Sequence, residues 1–101
     1  MSSETKNKYL DQLKELVLSS LKDENLKIFL FGSRARGDNY RTSDVDIGFI
    51  PKGDYNKSKI SFLKEQIENS NIPYKVQVVN FNNVSEDFKR EALKDIIVWK
   101  D

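Results

Sequence analysis

Residues 27–47 read KIFLFGSRARGDNYRTSDVDI, and this stretch decides the fold. The segment Lys27–Phe31 is short, aromatic and β-branched, which predicts a strand that is buried on both faces. Gly32 breaks this strand and begins a segment with room for one or two helical turns. Asp44–Ile50 alternates between apolar and polar or small residues, which predicts a second strand that ends at Pro51.

The second strand carries two carboxylates on one face. Because side chains alternate along a strand, Asp44 and Asp46 emerge on the same side, roughly 6–7 Å apart at the backbone. Two like charges repel unless a cation lies between them, and a pair of Mg²⁺ ions about 3.5–4 Å apart is a common solution in nucleotidyl transfer. Taken alone, the pair is also typical of a solvated strand face, so the motif leaves both interpretations open.

Gly32 and Ser33 follow the first strand directly. Glycine lets the backbone turn and lets a phosphate approach it closely. Ser33 offers a hydroxyl group and, if a helix begins there, backbone N–H groups that favour an anion. An ordinary turn has the same composition. Combined with the two carboxylates, however, this turn predicts a site for a triphosphate tail.

The rest of the chain alternates between helices and strands. We predict helices over about 4–22 and 56–69, a third strand at Tyr74–Phe81, a helix capped by Ser85 and a short final strand at Ile96–Trp99. Glu86 and Asp87 fall in the first turn of the last helix, where the helix dipole favours acids. The simplest architecture is one sheet covered by helices.

Composition narrows the function classes. The net charge of +1, from 17 basic and 16 acidic residues, argues against general nucleic-acid binding. The chain contains neither cysteine nor histidine, so metal chemistry would have to use oxygen ligands and hard cations. The sequence has no apolar window of membrane-spanning length, and we expect a soluble cytoplasmic protein with no membrane partner.

Ten residues separate Ser33 from Asp44, and this spacing resembles the signature of the DNA polymerase beta nucleotidyltransferase superfamily. Ala35, Gly37 and Ser43 also match its pattern. Residues 74–81 and 85–88 resemble the minimal, single-domain branch of that superfamily, so the resemblance covers almost the whole chain. It implies the α+β nucleotidyltransferase fold, a mixed β-sheet flanked by helices, in one small domain over residues 1–101.

The resemblance also implies roles for individual residues. Asp44 and Asp46 would bind metal, with two Mg²⁺ ions present when the nucleotide is bound. The residues implied to bind the nucleotide are Gly32, Ser33, Arg36 and Ser43. Arg34 is equally compatible with contact to phosphate or acceptor and with a solvated turn, whereas Arg41 is expected on the surface.

A third catalytic carboxylate is missing from its expected place. The family's aspartate falls on Gln77, and a second frequent acid falls on Asn80. Neither amide carries charge or accepts a proton at neutral pH. Strand parity puts Gln77 and Asn80 on opposite faces, and no nearby acid is an obvious replacement. Because general-base help contributes about 10²–10⁴ in rate, we expect reduced activity at a site still formed by Asp44, Asp46 and Gln77.

Two aromatic residues near the C-terminus, Phe88 and Trp99, are predicted to lie in the core or to face a partner. By resemblance, the chain would be a Mg²⁺-dependent nucleotidyltransferase that uses ATP or another nucleoside triphosphate. It would modify a hydroxyl of a small helical HEPN-type protein and act as the antitoxin of that toxin. The alternative is a catalytically degenerate binding module that neutralises its partner by contact. A regulator that senses nucleotide is a third hypothesis.

Overall fold

The computed structural model describes residues 8–36 and 44–101. These residues form four helices and four strands in the alternating order that the sequence predicts. In chain order they are α1 (Lys8–Leu21), β1 (Leu26–Phe31), α2 (Ser33–Arg36), β2 (Asp44–Pro51), α3 (Lys57–Glu68), β3 (Lys75–Asn80), α4 (Glu86–Ala92) and β4 (Ile97–Lys100).

The four strands make one mixed sheet in the order β3-β2-β1-β4. β1 pairs antiparallel with β2 and with β4, whereas β2 pairs parallel with β3. The register places Phe31 opposite Asp46 on one side of β2 and Gln77 opposite Asp46 on the other. The predicted mixed α+β fold is therefore confirmed, and the register decides which side chains meet on the face of the sheet that carries the acids.

The core of the sheet is aromatic on that same face. Phe29 and Phe81 meet edge to face, with ring centroids 4.9 Å apart, and Phe31 contacts both rings. Gly48 lies beneath them, since a Cβ atom there would be 2.6 Å from Phe29 Cε2 and 2.6 Å from Phe81 Cε1. Real Cβ atoms do not approach carbon so closely, so these rings leave room only for glycine at this position.

The helical unit consists of residues 8–24 and 56–73 and contains α1 and α3. Each helix buries one stripe of apolar side chains at helical spacing, namely Leu13, Val17 and Leu21 on α1 and Ile60, Leu63 and Ile67 on α3. The start of α3 is fixed by polar contacts. Asn56 Oδ1 accepts from the Ser58 N–H at 2.9 Å, and the Glu24 carboxylate accepts from the Asn56 N–H at 2.8 Å. That N–H donor holds the pKa of Glu24 below its ordinary value.

Ser85 caps α4 as predicted. Its hydroxyl oxygen accepts a hydrogen bond from the Phe88 N–H at 3.1 Å, and Glu86 and Asp87 occupy the first turn. Phe88 extends from this turn to Phe31, with ring centroids 6.1 Å apart in an edge-to-face arrangement. The cap therefore sets where α4 begins and, through Phe88, where the helix contacts the aromatic face of the sheet.

Element boundaries differ from the predictions by a residue or so. β3 spans Lys75–Asn80 rather than 74–81, because the chain turns after it: the Asn83 N–H donates to the Asn80 carbonyl at 3.0 Å. β4 is shifted by one residue from the predicted 96–99, and the first predicted helical residues, 4–7, lie outside the described part of the chain. Within residues 8–36 and 44–101, no helix has the length and apolarity needed to cross a membrane.

Candidate functional site

The two acids lie at the start of β2, as the spacing predicts. Val45 and Ile47 are buried on one face, so Asp44 and Asp46 share the opposite face. Asp44 is exposed, whereas Asp46 is half-buried because it lies between Phe31 of β1 and Gln77 of β3. The structure therefore brings the two predicted carboxylates together and encloses the second one more than the first.

Gly32 forms the turn that meets Asp46. Its φ of +79° is in the left-handed region, where a side chain costs about 1–2 kcal/mol. A Cβ atom at Gly32 would overlap the Asp46 Oδ2 atom and lie 3.3 Å from its Cγ. Glycine is thus required both by the backbone conformation and by the close approach of the carboxylate, so the turn after β1 is packed directly against an acid of β2.

Ser33 begins α2, which is a single helical turn. The N–H groups of Ala35 and Arg36 donate to the Gly32 carbonyl at 3.1 and 3.2 Å. These two N–H groups are therefore satisfied, whereas the Ser33 N–H at the start of the helix has no acceptor inside the helix and would favour an anion. Ser33 therefore begins the helix directly after Gly32, at the position where the sequence predicts a phosphate-binding turn.

The acid pair combines mutual repulsion with positive charge nearby. Burial raises the pKa of Asp46 above its ordinary value, the Asp44 carboxylate raises it further, and the Arg36 guanidinium opposes both effects. Arg36 is exposed at the end of α2, so it lies near enough to the acids to act on them electrostatically and remains accessible to solvent. A cation bound between the carboxylates would remove the repulsion between them.

Arg34 is held by the protein itself. Its Nε donates to the Asp44 backbone carbonyl at 3.1 Å, and its guanidinium carbon lies 4.3 Å from the centroid of the Tyr74 ring. These two contacts connect α2 with the first residue of β2 and with the residue that precedes β3. The sequence left the role of Arg34 open, and these contacts connect it to neighbouring protein groups.

Gln77 stands beside Asp46 in the parallel ladder, at the usual strand separation of about 4.8 Å. Its side chain is exposed. Asn80 belongs to the other face, where its Nδ2 donates to the Tyr55 hydroxyl at 3.2 Å. The predicted assignment of these two amides to opposite faces is confirmed. On the acid face of β3, Gln77 neighbours Asp46 and Lys75 neighbours Asp44.

A cavity of about 340 Å³ opens beside Asp46, and sequence reasoning missed most of its lining. Phe31, Gly32 and Asp46 line its sheet side. The residues that line it from α4 and the turn after it are Phe88, Glu91, Ala92, Lys94 and Asp95. Glu91 and Ala92 lie three and four residues after Phe88 on one face of α4, and this spacing is the signal that could have found them, whereas Lys94 and Asp95 follow the helix.

Asp44 and Asp46 suit a hard cation, since both offer only oxygen ligands. Residues 8–36 and 44–101 contain no cluster of three or more Asp, Glu, His or Cys side chains arranged to hold a metal. Two carboxylates nevertheless fit Mg²⁺, which usually completes its shell with water and substrate phosphates. Three positions singled out in the sequence, Gly37, Arg41 and Ser43, lie outside the described residues.

A glycine–serine turn packed against a two-carboxylate strand, on a mixed sheet, is the arrangement that the resemblance seen in the sequence implies. Residues 11–101 match the family described as "Polymerase beta, Nucleotidyltransferase". The chain therefore belongs to that family, and the resemblance seen in the sequence is confirmed.

Among similar proteins is the "Probable protein adenylyltransferase MntA" of Haemophilus influenzae (strain ATCC 51907 / DSM 11121 / KW20 / Rd). The two sequences are 31% identical over 71 residues, which make up 70% of this chain and 61% of that protein. The chain thus spans less than two thirds of the length of this relative.

Two solved structures share the fold. One is a toxin–antitoxin complex with AMP-PNP, with a TM-score of 0.64, 21% identity, and coverage of 85% of this chain and 71% of the other. The second is a tri-AMPylated Shewanella oneidensis HEPN toxin in complex with its MNT antitoxin, with a TM-score of 0.61, 18% identity and coverage of 88% and 70%. At these identities the likeness supports the fold alone.

Proposed function

We propose that this chain is a Mg²⁺-dependent nucleotidyltransferase that transfers adenylate from ATP to a hydroxyl group of a small helical HEPN-type protein and so acts as its antitoxin. The observation that carries the proposal is the contact between the Gly32 turn and Asp46, with Asp44 on the same face of β2. This contact supports the proposal because the turn proposed to bind phosphate and the carboxylates proposed to bind metal lie side by side. The proposal treats residues 1–101 as one nucleotidyltransferase domain.

Each site residue has a defined part in the reaction. Gly32 and Ser33 hold the terminal phosphates by backbone N–H groups and a hydroxyl, Arg36 adds positive charge, and Ser43 is assigned to the nucleotide by resemblance. Asp44 and Asp46 hold the ions. When bound, Mg²⁺ polarises the phosphoryl oxygens and neutralises the charge that develops on them.

Adenylate transfer would be a single displacement at the α-phosphorus of ATP. The acceptor oxygen forms a bond to the α-phosphorus, the bond from that phosphorus to the bridging oxygen breaks, and pyrophosphate leaves. The acceptor proton goes to solvent, because Gln77 beside Asp46 cannot accept it at neutral pH. The reaction is therefore expected to be slower than with a carboxylate at that position, by about 10²–10⁴.

Label transfer tests this function directly. The chain would be incubated with Mg²⁺, the HEPN-type partner and ATP labelled at the α-phosphate, with γ-labelled ATP as the control for phosphorylation. We expect α-label on the partner, none from γ-labelled ATP, and none with Asp44→Asn. Asp54→Asn makes the same chemical change at an exposed loop residue away from the site and should retain transfer.

A second candidate function is favoured by the position of Gln77. An amide directly beside Asp46 is what a degenerate site would contain, and such a chain would neutralise its partner by contact alone. In that case Asp44→Asn would still protect cells from the partner. Loss of protection by Asp44→Asn in a complex that still forms would exclude contact alone, and a rise in transfer with Gln77→Asp would identify the missing carboxylate as the limitation.

A further inference from the structure

We propose that the cavity between the acid face of the sheet and α4 binds the nucleoside half of the nucleotide, with the Phe88 ring in contact with the base. The inference rests on the proposed function. The residues described above would hold the phosphates and the metal, and the cavity would hold the base and sugar. The cavity volume of about 340 Å³ falls within the range of small-molecule sites. One wall contains Gly32 and Asp46, so the cavity begins where the phosphates would end.

Phe88 is the first argument. Its side chain is 44% exposed, although the ring is held edge to face by Phe31 and contacts Phe81 at 5.7 Å between centroids. An aromatic ring that lines a cavity in a fixed orientation offers a surface on which a base can stack. Such contact tolerates different bases, because every base has a flat apolar face.

Charge gives the ligand its direction. At the sheet end of the cavity, the positive charge of Arg36 favours phosphate. At the other end, Lys94 Nζ is 3.1 Å from the Glu91 carboxylate, and Asp95 makes no ion pair or hydrogen bond with any other residue of the described chain. This end is acidic and would repel phosphate. Carboxylates accept hydrogen bonds from the amino group of a base or from sugar hydroxyls, so the end suits the uncharged nucleoside.

A comparison of two ligands separates the nucleoside from the phosphates. The full chain would be titrated calorimetrically with Mg²⁺–ATP and with Mg²⁺–inorganic triphosphate. We expect Phe88→Leu to weaken ATP binding about 10-fold and to leave triphosphate binding unchanged, as expected for loss of one base–aromatic contact. Phe88→Tyr retains the ring and should bind ATP nearly as well as the unaltered chain. Phe62→Leu, at a 59% exposed phenylalanine of α3, is the matched control and should change neither affinity.

The outcomes are distinguishable. Triphosphate binding by a chain that gains no affinity from the nucleoside overturns the cavity assignment and leaves the proposed function standing. Equal weakening of both ligands by Phe88→Leu also overturns it. Binding of neither ligand by the unaltered chain removes the proposed function, and the inference falls with it.

Photolabelling avoids dependence on a variant that could unfold. Azido-adenosine triphosphate would be crosslinked to the unaltered chain in the presence of Mg²⁺, and the labelled peptide would be mapped. The proposal requires label within residues 86–95 that excess ATP removes. Labelling confined to other peptides would contradict it.

Discussion

The two ends of β2 differ on the face that carries the acids: one end is charged and the other is closely packed. At the start of β2, Asp44 and Asp46 repel each other and sit beside a turn that only Gly32 can make. Four residues after Asp44, on the same face, Gly48 lies beneath Phe29 and Phe81. One end keeps unfavourable charge that a ligand can neutralise, whereas the other end contributes packing.

The largest effect is expected from a substitution at the acid end of β2. Asp44→Asn removes one of the two carboxylates proposed to bind metal and should weaken Mg²⁺-dependent ATP binding by at least ~100-fold, since a bound metal supplies several kcal/mol of charge stabilisation. Titration calorimetry with and without Mg²⁺ measures this loss. Asp54→Asn should bind like the unaltered chain, and equal loss in both variants would mean that general charge, rather than the site, holds the nucleotide.

A smaller effect, on stability, is expected from a substitution at the aromatic end of β2. Gly48→Ala forces a methyl group into Phe29 and Phe81 and should lower the free energy of unfolding by about 1–3 kcal/mol, as overpacking does. Urea unfolding measures it. The matched control is Gly53→Ala, where a Cβ atom would meet only Asn25 Nδ2 at an ordinary 3.5 Å. If both variants lost the same stability, close packing at Gly48 would not be the cause.

Gly32→Ala tests whether the two glycines have separate roles. The left-handed backbone at Gly32 should cost about 1–2 kcal/mol of unfolding free energy once it carries a side chain. Because its Cβ would displace the Asp46 carboxylate, ATP binding should fall as well, whereas folded Gly48→Ala should bind normally. Normal ATP binding by folded Gly32→Ala would show that the turn does not position the acid.

Arg34 links the acid end to its surroundings, and its loss should have a more modest effect. Arg34→Met removes both the hydrogen bond to the Asp44 carbonyl and the contact with Tyr74, worth about 0.5–2 kcal/mol for the ring contact. We expect kcat of label transfer to fall more than KM rises, because the metal-binding strand loses a support while the nucleotide contacts stay. Arg34→Lys should restore part of kcat. A change in KM alone would indicate direct phosphate contact instead.

The smallest expected effect is a pH-dependent change in the stability of Asp46→Asn. The pKa of Asp46 is raised by burial and by Asp44, so ionisation of Asp46 favours the unfolded chain. Stability is lost as the pH rises from the ordinary carboxyl range through the raised folded-state value. Asp46→Asn should therefore increase Tm slightly at neutral pH, and the increase should vanish in acid below both values. A lower Tm for Asp46→Asn at neutral pH would contradict the electrostatic account.

Local patterns predicted most of the site. The motif from Gly32 to Asp46 lies in one continuous stretch of sequence, so its spacing is visible directly. Strand alternation is enough to place Asp44 and Asp46 on one face. The same alternation separated Gln77 from Asn80. These inferences hold because each depends only on the geometry of one strand or one turn.

Contacts between residues far apart in the chain could not be predicted from the sequence. Phe88, Glu91 and Asp95 join the cavity only because α4 packs on the aromatic face, and no local pattern states which face a helix will contact. The role of Arg34 depends on where Tyr74 lies, which the parallel register of β2 and β3 decides. Element ends were likewise misplaced by a residue, since turns such as the one after Asn80 terminate strands through specific hydrogen bonds.

The position of Gln77 has a consequence for how this chain can evolve. It projects into solvent from β3, which forms one edge of the sheet, and it is not part of the buried core. Exchange between an amide and a carboxylate there changes the chemistry beside Asp46 with little demand on folding. Under the proposed function, catalytic competence could therefore be lost or recovered by substitution at one surface position, without repacking of the core.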